Sequence, residues 1–303
     1  MCDIIKHKLY FKIIEPKNNT FTVGINKIKH QQISFITHEL IGRFIHDDDK
    51  IAFVTIPQQV PIQHIDKHKF KADIINIEKI VQVHDFEYWN NKQFQLNAVQ
   101  LNGFNIKYIK NPSPSVIRKA CQQNGLAIQH VYNPDESTAI IACQQNGLAL
   151  QYITKQTKNI CTEAVKQNGL AIQYSTKQTK ELCILSAKEN GLSIKHMRRQ
   201  TAEICSAAIQ EFSGAIHHVR NQTQKICILA VKDNGMNLEY IKKQTETICL
   251  AAVKENGMAL EYVKVPNKKI CHAAIQQDKN AAKLIEDRDM LPTNYTNKKL
   301  KRS

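Results

Sequence analysis

The sequence predicts a mainly α fold, an α-solenoid of about nine 22-residue helical hairpins following a small α+β domain, on three observations. First, one pattern returns every 22 residues, at Gly103, Gly125, Gly147, Gly169, Gly191, Ser213, Gly235 and Gly257. Second, ten residues after each of these stands a residue suited to open a helix: Ser113, Asp135, Thr157, Thr179, Thr201, Thr223, Thr245 and Asn267. A short side-chain oxygen there can accept from the free N–H groups of a helix's first turn. Third, one apolar stripe follows each such residue at helical spacing, as in Ile160, Cys161, Ala164 and Val165.

The unit 157–177 serves as the reference. Its first helix is expected over Lys158 to Asn168, opened by Thr157 and closed by Gly169 in a left-handed C′ conformation. Pro112, Pro134 and Pro266 precede the capping position in three units, so the chain there is not mid-helix, and Pro114 fits a first helical residue. A second, shorter helix carries Leu170, Ala171, Ile172 and Tyr174 and ends before the next cap. Helices this short are marginal alone, so the units must stack. The outer units are expected to degenerate. Phe94 to Lys110 lacks the cysteine, and Asp278-Lys279 replaces Asn-Gly in the last. At Phe212-Ser213-Gly214 the glycine has moved one place, which predicts a distorted turn.

Residues 1–91 break the period. The runs KLYFKIIE, TFTVGI, IAFVTI and ADIINIEKIVQV read as strands, and ISFITHELIGRFI as one amphipathic helix. Seven of the 12 histidines lie here, His7, His30, His38, His46, His64, His68 and His84, near Asp47, Asp48 and Asp49. Their spacings match no ligand motif, so surface histidines and a solvated acidic turn are the reading, and neither a metal nor another cofactor is expected. The domain limits are thus 1–91, 92–289 and a basic disordered tail at 290–303.

With 42 % hydrophobic and 7 % aromatic residues, the 303-residue chain suits a long thin core. It has no apolar run long enough to span a membrane and no signal-like start, so an intracellular, reducing location is expected. Six of nine cysteines, Cys161, Cys183, Cys205, Cys227, Cys249 and Cys271, form one column, and Cys121 and Cys143 take the neighbouring apolar column. They are expected to pack as small apolar residues without disulfides or zinc.

Charge is uneven. Residues 1–91 hold 12 Lys and Arg against 11 Asp and Glu, leaving +14 of the net +15 to the rest of the chain. Lys155, Lys177, Arg198, Arg199, Arg220, Lys242, Lys243 and Lys264 form a basic stripe at the ends of the second helices. Such cations complement a helix C-terminus, and they also suit phosphates or an acidic protein surface. A second column holds Tyr108, His130, Tyr152, Tyr174, His196, His218, Tyr240 and Tyr262. It reads as amphipathic rings wedged between units; stacking on nucleic-acid bases would require open ring faces. No P-loop, G-x-G-x-x-G, H-E-x-x-H or G-x-S-x-G occurs, so the sequence offers no enzyme signal.

The unit C-x-x-A-V-K-x-N-G-x-A-L-x-Y, seen in Cys161 to Tyr174, Cys227 to Tyr240 and Cys249 to Tyr262, resembles a helical repeat family of unknown function common in giant viruses of amoebae and in some protists. Residues 51–78 resemble the end of an N-terminal domain that mimivirus-type giant viruses place before repeats, although its Gly-Gly-Leu-Tyr-Phe stretch is missing, with QQISFITH nearest its place. The resemblance implies a viral protein acting in an infected cell, in the host cytoplasm, and carries over no activity and no site residues. The expected function is a non-enzymatic protein–protein interaction scaffold with an unidentified protein partner; nucleic-acid binding through the basic stripe is the alternative.

Overall fold

A computed structural model describes residues 10–15, 21–27 and 33–292. The expected tail at 290–303 therefore lies almost wholly outside the described residues, as do His7 and His30. By internal contacts the chain divides into two compact units, Met1–Ile153 and Thr154–Ser303.

The first unit opens with seven strands: β1 Tyr10–Ile14, β2 Gly24–Lys27, β3 Ile33–Ile36, β4 Lys50–Thr55, β5 Gln63–His64, β6 Lys69–Ala72 and β7 Ile74–Gln82. They form one antiparallel sheet in the order β2-β7-β4-β1-β3-β6-β5. Successive side chains of a strand point to opposite faces, and here both faces are apolar. Tyr10, Ile14, Phe35, Ala52, Val54 and Phe70 fill one side. Phe11, Ile51 and Phe53 fill the other, together with Phe94, Ala98, Ile106 and Val116 from the helices that follow. That shared core ties the first repeats to the sheet, and Asn105 Nδ2 reinforces it by donating to the carbonyls of Gly42, at 2.5 Å, and Ala98, at 2.8 Å.

The helix expected across ISFITHELIGRFI is only half helix. Residues 33–36 form β3, and α1 covers His38–Phe44. Ile33 and Phe35 are buried while Ser34 is exposed, a period of two that suits a strand. β5 and β6 carry no run long enough to predict and are assembled by their partners.

Among the described residues from 92 onward, nine α-helices each ten residues long alternate with six-residue 3₁₀ helices. In the first unit these α-helices are α2 Lys92–Leu101, α3 Pro114–Gln123 and α4 Glu136–Gln145; in the second they are α5 Lys158–Gln167, α6 Lys180–Glu189, α7 Ala202–Glu211, α8 Gln224–Asp233, α9 Glu246–Glu255 and α10 Lys268–Gln277. Within each unit, consecutive α-helices pack on one another, and so do consecutive 3₁₀ helices. The second helix of each repeat is thus 3₁₀ rather than α. Six residues give too few i to i+4 bonds to hold an α-helix, whereas the tighter winding closes with i to i+3 bonds.

Every expected capping residue sits at the start of its helix with extended backbone. Six accept from the third N–H onward, among them Asp135 from Thr138 at 2.7 Å and Asn267 from Ile270 at 3.0 Å. Ser113 and Thr223 keep the backbone geometry without the side-chain bond.

The expected left-handed glycine does not occur. Among the described residues the only glycine with positive φ is Gly24. Seven of the nine repeat α-helices end instead at an extended asparagine such as Asn168 (φ −151°), whose Oδ1 accepts from the N–H of Leu170 and so caps the 3₁₀ helix. The glycine is needed for room: a Cβ on Gly169 would lie 2.8 Å from the Ser186 carbonyl oxygen of the next repeat, and one on Gly125 2.2 Å from that of Ala142. The turn at Phe212 is not distorted either. Phe212 has φ −147° and ψ 107°, like its counterparts, because no left-handed residue is required there. In the last repeat Asp278 does the asparagine's work, accepting from Asn280 at 2.8 Å.

Candidate interaction surface

A glutamine that the motif reading passed over builds the surface of the second unit. Gln156, Gln178, Gln200, Gln222 and Gln244 stand directly before the capping threonines. Gln200 Nε2 donates to the carbonyls of Ile194 in its own repeat and His218 in the next, both at 3.1 Å, while its Oε1 accepts from Arg220 N at 2.9 Å. Gln178 makes the equivalent bonds to Ile172, His196 and Arg198, and Gln244 to Leu238, Tyr262 and Lys264. Gln178, Gln200, Gln222 and Gln244 therefore fix the backbone of the following repeat at its ring residue and at its cation, whereas Gln156 fixes it at Tyr174 and Thr176. The recurring Gln-Thr dipeptide was the available signal; only the fold shows that the amide reaches a residue 18 to 20 places away.

A second bridge joins repeats at the glycines. Gly257 N donates to Gln277 Oε1 at 2.5 Å, and Gly191 N donates to a Glu211 carboxylate oxygen. Main-chain groups exposed by the short 3₁₀ turns thus find partners in the adjacent repeat.

All eight stripe residues, Lys155, Lys177, Arg198, Arg199, Arg220, Lys242, Lys243 and Lys264, are exposed. They lie in linkers such as 197–201 and 241–245 that contain no Asp or Glu. The ion pairs of the second unit, such as Lys166 with Glu163 and Lys269 with Glu246, are made by other residues. Three stripe cations also reach back one repeat to carbonyl oxygens: Arg198 to Thr176 at 3.1 Å, Arg220 to Arg198 at 3.0 Å and Lys264 to Lys242 at 3.1 Å. Those bonds satisfy main-chain acceptors and leave the positive charge at the surface.

One member of the ring column is core and the rest are not. Tyr108 is buried against the sheet, with its hydroxyl donating to Asp47 at 3.0 Å, whereas His130 and Tyr152 are exposed, Tyr174, His196, His218 and Tyr262 are half-buried and Tyr240 is 39 % exposed. Beyond Tyr108 the rings are surface groups rather than core. His217 packs edge-on against both His218, at 4.9 Å, and Tyr240, at 5.0 Å. Desolvation first, then the Lys195 ammonium, holds His196 below its usual 6.5; His218 is lowered by desolvation and then by His217, Lys195 and His196.

In the first unit an open cleft of about 500 Å³ is lined by Glu15, Asp47, Asp48, Lys50, Gln82 and His84. Of its acids Asp47 is already engaged: Lys107 lies 2.5 Å away and, by that hydrogen bond above all, holds its carboxyl below the usual range. Behind the cleft, buried Asp49 accepts from His46 N at 2.6 Å. Among the described residues no His, Cys, Asp and Glu group is arranged to hold a metal ion. The eight described cysteines are buried, and burial pushes the Cys121 thiol up to about 12. A thiol so poorly ionised is a packing group and not a nucleophile. No described helix is long and apolar enough to cross a membrane.

Fold and surface together define a helical repeat protein whose units are joined by side-chain to main-chain bridges. The family model described as Domain of unknown function (DUF4116) matches residues 135–180 and 223–265, and each match spans two consecutive repeats. No curated protein and no solved structure matches the chain.

Proposed function

We propose that this chain is a non-enzymatic protein–protein interaction scaffold whose repeats continue into a solenoid. The observation carrying this reading is that the polar groups recurring along the repeats are spent on capping helices and joining neighbours. The capping threonine, the asparagine, the linker glutamine and the glycine N–H all serve the backbone, which leaves a rigid frame with variable exposed positions. The likeness of the repeats to those of giant viruses supports a viral protein working in the host cytoplasm, and free thiols such as Cys161, Cys205 and Cys249 suit a reducing compartment. Affinity capture of the tagged full chain from amoebal lysate, with and without nuclease, tests it. Partner proteins retained after nuclease are the expected result. Release of every partner by nuclease would replace this reading with the second one.

That second reading, nucleic-acid binding, is favoured by one observation: the rings of the second unit lie half-open at the surface, beside cations that no carboxylate neutralises.

A further inference from the structure

We infer that Lys195, His196, Arg199, His217 and His218, with the neighbouring Tyr174 and Tyr240, form a binding site for single-stranded nucleic acid. This rests on the second reading above and narrows it to one segment of the repeats. Three arrangements carry it.

In two consecutive repeats a half-open ring is followed two residues on by a cation, His196 by Arg198 and His218 by Arg220, and the preceding glutamine clamps the backbone of both. A polymer that alternates flat bases with phosphates matches a surface that alternates rings with cations. An acidic peptide would use the charge but not the rings.

The site is also bounded. Toward the C-terminus the residues flanking the rings become Glu239 and Glu261, whose charges act on Tyr262 and would repel phosphate. On the other side Gln173 is neutral, so of the residues flanking the second unit's rings Lys195 alone carries a permanent positive charge. Arg199 is exposed, and the His217 ring packs edge-on against His218.

The site should consequently tighten in acid. Charged and titratable groups on the elements packed around it are Lys180, Glu181, Lys188 and Glu189 on α6, Glu203 and Glu211 on α7, Lys225, Lys232 and Asp233 on α8, and Glu239. None of these carboxylates acts on His196 or His218; Lys195 acts on both, and His217 and His196 act on His218. These two rings are neutral at pH 7 and gain charge below it, and a bound phosphate favours the charged form. The same depression lowers fold stability in acid, because the unfolded chain takes up these protons more readily as pH falls below the ordinary 6.5. Circular dichroism must therefore accompany each binding measurement.

The experiment is fluorescence anisotropy of the full chain with a fluorescein-labelled oligothymidylate of about 20 nucleotides at low salt. Oligoglutamate of matched charge is the comparison. Affinity for the oligonucleotide should rise about tenfold from about pH 8 to about pH 5.5 and exceed that for oligoglutamate. In the His196→Gln/His217→Gln/His218→Gln variant the pH gain should shrink to about twofold or less. His217→Tyr keeps a ring and should retain the binding seen at high pH while losing part of the gain; Lys279→Gln, outside the site, should behave as the parent. Should the triple variant misfold, His217→Gln, at an exposed ring, and Arg199→Gln give the same reading. A pH gain unchanged by the histidine variants, or equal binding of oligoglutamate, would overturn this site while leaving nucleic-acid binding standing. Absence of binding at low salt at either pH would overturn both.

Discussion

At the scale of the residue, the recurring glycine is the clearest case of one signal with two physical meanings. A glycine ending a helix suggests a left-handed cap, and an asparagine would substitute well in that conformation. The observed constraint is steric, since a Cβ on Gly169 would meet the Ser186 carbonyl oxygen at 2.8 Å and Asn190 N at 3.0 Å. Asparagine then has no advantage. Gly169→Ala and Gly169→Asn should both destabilise by about 1–3 kcal/mol, the range for overpacked sites, and urea unfolding of the two variants checks it. Gly214→Ala should be milder, because the added Cβ meets the Phe212 ring at 2.6 Å and an exposed ring can turn away. A Gly169→Asn variant as stable as the parent would restore the left-handed cap.

At the scale of the element, the linkers prove to be the joints of the repeat array. The threonine was legible as a cap because its task is local, three residues away. The glutamine beside it was not, because its partners are set by the stacking of helices. Gln200→Ala removes bonds to Ile194, His218 and Arg220 from a partly buried site. It should cost about 1–3 kcal/mol, comparable to the net worth of such bonds plus the main-chain groups left unmet. Thermal unfolding followed by circular dichroism reads this directly. An unchanged midpoint would mean that water replaces the clamp. The same logic explains the 3₁₀ helices: their apolar residues read as helical, but the winding is decided by the length between asparagine and linker.

At the scale of the whole molecule, the constant period allows the array to be shortened in register. Deleting residues 202–223 joins Thr201 to Gln224 and replaces one cap and linker by its equivalent. Ellipticity per residue should persist with a lower midpoint, whereas deleting 202–222 should disrupt the repeats that follow, because every bridge then misses its partner. Equal behaviour of the two deletions would show that the bridges do not set register. What the sequence determined by itself was local and periodic: the number of repeats, the N-caps, the buried cysteine column and the exposed cations, all consequences of side chains within one or two helical turns. Only the tertiary structure decided the sheet order, the strand at 33–36, the glycine's true constraint and the glutamine clamps, because each depends on groups brought together from distant positions. The surface proposed for nucleic acid belongs to both. Its residue types are periodic in the chain, but whether its rings are open or buried follows from how the helices pack.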